Sequence, residues 1–165
     1  MSLEERTLGS LLSRPLVSIS CHTTVRVALS IARRQRIHHM PVTRNAALVG
    51  LVCTCDLLEA AGDRSVEGLM HAPVTLDHGA SLLDAAQTMT QRDVGSVIVT
   101  DAGQPSGIVT RGDLLQEDGD LARALNKSRC SCCGLTRHLK LDADGRTLCI
   151  YCLDLGADGR RVHID

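Results

Sequence analysis

The feature that most constrains this chain is that it is written twice. Laid on itself at an offset of 57 residues, with no gap, it aligns Val17 with Val74, Ala28 with Ala85, Val42 and Thr43 with Val99 and Thr100, and Gly50 with Gly107. The closing stretches "GLVCTCDLL" and "GIVTRGDLL" then bring Asp56, Leu57 and Leu58 over Asp113, Leu114 and Leu115. Identity is modest, but the same kinds of element recur in the same order, as in a duplicated supersecondary unit.

Each unit opens on a short apolar run, "LVSIS" or "PVTLD", followed by capping residues and a helical pattern. In the first copy Thr23 or Thr24 caps a segment with Val25, Ala28, Leu29 and Ala32 on one face; in the second, Ser81 precedes Leu82, Ala85, Ala86 and Met89 at helical spacing. Two strands follow, "HMPVT" and "LVGLVCT" or "SVIVT" and "SGIVT". They are joined by the turn-forming "RNAA" and "DAGQ", which predicts a hairpin in each copy. The last strand runs into Asp56 or Asp113, each read as the N-cap of a closing helix. The unit is strand, helix, strand, strand, helix.

Composition sets what such units can do. The 165 residues are 44% hydrophobic with a net charge of -1, enough for one ordinary globular domain with a small appendage. Tyr151 is the single aromatic residue, so a bound ring is gripped by aliphatic groups and backbone, and a stacking platform for single-stranded bases is excluded. No apolar run reaches the roughly 18 residues of a membrane span, and the opening "MSLEERTLGSLLSR" lacks a basic start followed by an apolar stretch. The expectation is a cytoplasmic protein that does not enter membranes. Charges are mixed; the local "RRQR", Arg33 to Arg36, reads as a solvated helix end with cations near the helix C-terminus.

The paired units resemble cystathionine β-synthase (CBS) motifs, which occur in tandem as a CBS pair. The likeness covers roughly residues 8 to 126 and rests on "GIVTRGDL", the upstream "LMHAPVTLD" and the helix "SLLDAAQTM", repeated in register. It implies an α+β fold of two β-α-β-β-α motifs, residues 8–63 and 64–126, forming one pair. It also implies a homodimer assembled through the amphipathic helices.

The repeated ending is where a ligand is expected. A strand ending in Thr110 and entering a helix at Asp113 gathers a hydroxyl, helix N-terminal amides and a carboxylate, groups that suit a phosphate and a ribose. Arg111 between them is placed for a further phosphate contact. In CBS pairs this Asp binds ribose hydroxyls, the Thr lies near the phosphate, and adenine is held by backbone and aliphatic groups near the first strand. The resemblance carries these roles to Asp113, to Thr110, and to Val74 with its neighbours. AMP, ADP, ATP and S-adenosylmethionine all remain open. The first copy keeps Asp56 but has Cys53 in place of Thr110, and a thiol is a much weaker hydrogen-bond partner. A stronger site at Thr110 and Asp113 and a degenerate one at Asp56 are expected. Cys53 and Cys55, two apart on a strand, face the same way and could join Cys21 in a soft metal site, but are read as small buried hydrophobes. His38 and His39, adjacent on a strand, face opposite sides and suit joint ligation poorly.

Five of the eight cysteines lie between Cys130 and Cys152. Cys130, Cys133, Cys149 and Cys152 make two C-x2-C knuckles separated by fifteen residues, the pattern of a closed four-thiolate metal site. "RHLKLD", "ADGR" and "TLCIYC" supply the intervening hairpin, and Cys132 is the odd sulfur. The segment, residues 127–165, resembles a zinc ribbon or rubredoxin-like knuckle pair whose folding depends on its metal. Zn2+ is the default; iron fits the same ligands. Basic residues here are offset by acidic ones, so the tail is not a basic patch.

The resulting expectation is a regulatory sensor of an adenosyl ligand, with a structural metal ribbon and an effector that the sequence does not identify. The alternatives are a zinc-ribbon regulator that binds nucleic acid, disfavoured by the neutral tail, and a rubredoxin-like electron carrier. No nucleophile with an adjacent base is evident, so the chain is not read as an enzyme.

Overall fold

The computed structural model describes residues 5–12, 15–117, 130, 139–143 and 145–155. The first unit consists of β1 (Ile19–Ser20), α1 (Val25–Gln35), β2 (His39–Arg44), β3 (Ala47–Cys53) and α2 (Thr54–Leu58). The second repeats it as β4 (Thr75–Asp77), α3 (Leu82–Arg92), β5 (Ser96–Asp101), β6 (Gln104–Thr110) and α4 (Arg111–Glu117).

Local chemistry accounts for these boundaries. Thr24 caps α1, its side chain accepting from the Val27 amide. Ser81 caps α3 more fully, in a reciprocal box with Asp84, whose carboxyl is held below its ordinary pKa by the Ser81 backbone and hydroxyl donors. Both helices end on a left-handed residue, Arg36 and Asp93. Arg33 to Arg36 are exposed, in keeping with a solvated helix end. Each hairpin turns through two residues of positive φ, Asn45 and Ala46 in the first and Ala102 and Gly103 in the second, the geometry that matches strand twist.

The two sheets, ordered β1-β2-β3 and β4-β5-β6, are copies down to register. The first strand lies parallel to the second, Ile19 facing Val42 and Leu76 facing Val99, and the hairpin is antiparallel. A bulge follows Val42 in one and Val99 in the other. Buried and exposed positions also succeed one another identically along β2 and β5, and along β3 and β6.

The packing units are not contiguous in sequence. Val66 is buried among Val25, Ala28, Met40, Val42, Val52 and Leu57 of the first unit, whereas Leu8 is buried among Leu82, Ala85, Met89, Val97, Val99 and Leu114 of the second. Backbone hydrogen bonds tie the exchange: Leu8 N–H to the Ala80 carbonyl and Leu82 N–H to that of Arg6, matched by Val25 N–H to Arg64 and Val66 N–H to Thr23. The segment preceding each unit therefore completes the other, so the divisions 8–63 and 64–126 are divisions of sequence rather than of packing. Gly50 and Gly107 make this close approach feasible. A Cβ at Gly50 would lie 2.6 Å from Met70 Sδ, and one at Gly107 2.3 Å from Leu12 Cδ2.

In the tail, β7 (Leu139–Leu141) and β8 (Thr147–Cys149) form the expected antiparallel hairpin. Its turn is held by Asp142, which accepts from the Arg146 amide at 2.8 Å and from its Nε at 2.7 Å. The chain then leaves the hairpin at Ile150 and enters α5 (Ile150–Leu155), so Cys149 ends a strand and Cys152 sits in a helical turn. Cys132 and Cys133 lie outside the described residues. Among the described residues, no helix is long and apolar enough to cross a membrane.

Candidate functional site

The two strand-to-helix junctions occupy equivalent places and differ in chemistry. At the second, Thr110 rather than Asp113 is the cap. The Asp113 amide donates to Thr110 Oγ1 at 3.2 Å, and Asp113 Oδ2 accepts from both the Thr110 amide and its hydroxyl at 2.8 Å. This corrects the N-cap reading: Asp113 stands at the third helical position, where its carboxylate reaches back to the strand end. Thr110 and Asp113 are thus brought together, with Asp113 exposed and its other carboxylate oxygen available to a ligand hydroxyl.

Arg111 is not placed for the expected phosphate contact. It is 1% exposed, and its Nη2 donates to the Met89 carbonyl at 3.5 Å while Nε and Nη1 have no hydrogen-bond partner among the described residues. Burial pushes its pKa down from the ordinary value, and the sulfur of Cys130 offsets only part of that shift. The guanidinium turns inward because it continues the place of buried Thr54 in the first unit. Val74 is half-buried against the second core, and its carbonyl accepts the Ile98 amide at 2.8 Å.

At the first junction Cys53 is the cap, its thiol accepting from the Cys55 amide at 3.4 Å, and Asp56 holds the third helical position. Asp56 Oδ2 lies 3.1 Å from His71 Nε2. His71 returns beside β3 by exchanging two backbone hydrogen bonds with Leu51. Asp56, Glu59, Ala60, Arg64, Gly68, Leu69, Met70 and His71 line an open groove of about 370 Å³. The basic groups Arg64 and His71 were not singled out from sequence. They come from the segment that crosses between units, and nothing local to them signals that crossing.

Cys55 departs most from expectation. β3 ends at Cys53, so Cys55 is helical rather than a strand neighbour, and Cys21 sits apart in the first core. Its Sγ lies 3.6 Å from that of Cys149 and 3.8 Å from that of Cys152. Cys55, Cys130, Leu148, Cys149 and Cys152 form one buried cluster, against which Cys53, Leu139 and Leu153 pack. Three of the four cysteines predicted to bind metal are thus gathered, together with one that was not. The C-x-C spacing of Cys53 and Cys55 was the available signal. His38, half-buried, has its Nδ1 3.4 Å from Thr54 Oγ1.

Comparison with known proteins agrees with this architecture. The family profile described as "CBS domain" matches twice, over residues 8–63 and 66–120. A CBS domain-containing protein of Dictyostelium discoideum is 32% identical over 124 residues, covering 64% of this chain and 86% of that protein. An uncharacterized protein of Methanocaldococcus jannaschii is 29% identical over 119 residues, covering 70% of this chain but only 40% of its own length. Among solved structures, the CBS domain of a bacterial CNNM/CorC family Mg2+ transporter in complex with ATP superposes with a TM-score of 0.63. It is 26% identical, with 70% of this chain and 88% of that one covered. A CBS domain protein from Pyrobaculum aerophilum complexed with AMP gives a TM-score of 0.65 at 23% identity, a likeness of fold, covering 72% and 97%.

Proposed function

The chain belongs to the CBS domain family, and from that premise we propose that it is a regulatory protein that binds an adenine nucleotide or related adenosyl ligand and catalyses no reaction itself. The observation that carries this reading is the second junction, where Thr110 and an exposed Asp113 stand 2.8 Å apart at the end of β6. A ribose diol donates to the Asp113 carboxylate, the hydroxyl and amides at the start of α4 face the phosphate, and aliphatic groups around Val74 cover the adenine. The ATP complex of the structural neighbour supports the ligand class.

At the first junction Asp56 is already engaged by His71, and the capping atom is a thiol packed against the tail. Nucleotide binding there is the weaker. The tail holds a thiophilic metal ion, Zn2+ by default, through its cysteines; Cys130, Cys149 and Cys152 are buried together. The protein works as a cytoplasmic homodimer joined through amphipathic helices, of which α1 leaves Val27 50% exposed. It passes the ligand signal to an effector by favouring one arrangement, which requires different affinities for the two.

The test is mass spectrometry of small molecules released from the purified protein, followed by calorimetric titration with AMP, ADP, ATP and S-adenosylmethionine. Saturable binding of at least one is expected. Failure of all four to bind would overturn the reading.

A further inference from the structure

Resting on the reading that the tail binds a thiophilic metal, we propose that its site is shared with the first unit: Cys55 of α2 ligates the ion together with Cys149 and Cys152. The tail is then a clamp on the first unit rather than a self-contained ribbon.

The distances argue for coordination geometry. A tetrahedral zinc site with Zn–S bonds of about 2.3 Å has sulfurs about 3.8 Å apart along each edge. Cys55 Sγ stands 3.6 and 3.8 Å from the sulfurs of Cys149 and Cys152, and all three lie within 4.8 Å of one another. A disulfide would require about 2.05 Å. Each residue of the trio is no more than 2% exposed, so the site is closed to water, and Cys130 is buried in the same cluster. On binding, each coordinating thiol releases its proton to solvent.

Charge supplies an independent observation. A Zn2+ ion held by three or four thiolates is a net negative centre, and burying it calls for a nearby cation. Arg111 is buried with Nε and Nη1 left without hydrogen-bond partners among the described residues, and the sulfur of Cys130 is the anionic group that acts on it. The second unit thus faces the cluster with a guanidinium while the first contributes a sulfur. The site lies where both junctions meet the tail.

Cys55 immediately precedes Asp56, so metal binding also fixes the turn that carries the first nucleotide carboxylate. That gives the first junction a role in holding the tail in place of a full share in nucleotide binding.

The experiment uses the full chain. Zinc content is measured by elemental analysis, zinc affinity by competition with a chromophoric chelator, and thiolate count from the charge-transfer absorption of the Co2+-substituted protein, in the wild type and in Cys55→Ser and Cys53→Ser. One zinc per chain is expected in the wild type. Cys55→Ser should weaken zinc at least tenfold, roughly the smallest loss that perturbing even the outer contacts of a metal site produces, and lower the Co2+ thiolate absorption; Cys53→Ser, which leaves every proposed ligand in place, should leave that absorption undiminished. A Cys55→Ser protein that binds zinc like the wild type, with undiminished absorption, overturns the proposal and leaves a tail-only ribbon. A wild type that takes up neither ion overturns the metal reading itself. Should Cys55→Ser fail to fold, the Cys55 13Cβ resonance of the wild type decides: a shift on zinc release supports ligation, and no shift refutes it.

Discussion

Thr110-Arg111-Gly112-Asp113 and Cys53-Thr54-Cys55-Asp56 stand at the same point of two copies of one unit, with matching strand register, bulge and burial order. One presents a hydroxyl paired with an exposed carboxylate. The other presents two sulfurs, one of them buried against the tail. What the fold demands of this place is narrow: a side chain that caps the helix, an acid at the third helical position, and a leucine at the next to fill the core. Positions outside those demands are open to divergence, and divergence there redirects ligand chemistry without disturbing the sheet. Duplication supplied two equivalent scaffolds, and the two junctions dress them with different side chains.

The scaffold half of this comparison is tested by the largest expected effect. Gly50→Val and Gly107→Val each force a side chain into Met70 or Leu12, and each should cost about 1 to 3 kcal/mol or more in denaturant unfolding. Similar losses support reciprocal packing of the crossing segments; a neutral substitution at either glycine breaks the symmetry.

The chemical half is sharpened by restoring what the first junction lacks. Cys53→Thr gives it a capping hydroxyl beside Asp56, and one neutral hydrogen bond contributes about 0.5 to 1.5 kcal/mol. Nucleotide binding at the first junction should tighten by about two- to tenfold, read as a growing second phase in calorimetry. Unchanged binding would mean that the thiol is not what limits that site.

Thr110→Val removes the cap of α4 and should lower unfolding stability by about 1 kcal/mol, while Cys53→Ala, which removes only a weak sulfur acceptor, should cost less in the same melt. Equal costs would show that the two caps are equivalent.

The smallest effect is in acid. Asp84 is held below its ordinary pKa by Ser81, so its contribution to stability is fully present above about pH 4. It is lost as pH falls through the depressed value. The corresponding position of α1 is Val27, so Asp84→Asn should flatten the acid limb of the stability curve, and Val27 substitutions should leave its pH dependence unchanged. Superimposable curves for Asp84→Asn and wild type would remove the capping box from the account.

How much of this was legible from sequence follows from which interactions are local. The repeat, the order of elements, the hairpin turns, and the caps Ser81 and Thr24 are written in contiguous residues, and were readable. The pairing of Thr110 with Asp113 was readable as proximity, though the roles were exchanged, because Thr followed three residues later by an acid is a capping box rather than an Asp cap. The crossing of Leu8 and Val66 was not readable, since a lone aliphatic in a short turn carries no mark of which core it enters. Nor was the inward turn of Arg111, which depends on Met89 and Cys130 from distant segments. In sequence Cys55 carries only its commonest meaning, a small buried residue; the approach of Cys149 and Cys152 from the tail gives it another.

The central claim is that equivalent junctions hold nucleotide unequally, and its most direct measurement is a side-by-side ATP titration of Asp113→Ala, Asp56→Ala and the wild type. Loss of a charge-assisted hydrogen bond of about 1.5 to 3 kcal/mol predicts roughly 10- to 150-fold weaker binding for Asp113→Ala. Asp56→Ala should stay within about twofold of the wild type. A larger loss in Asp56→Ala, or equal losses in both, would contradict the account.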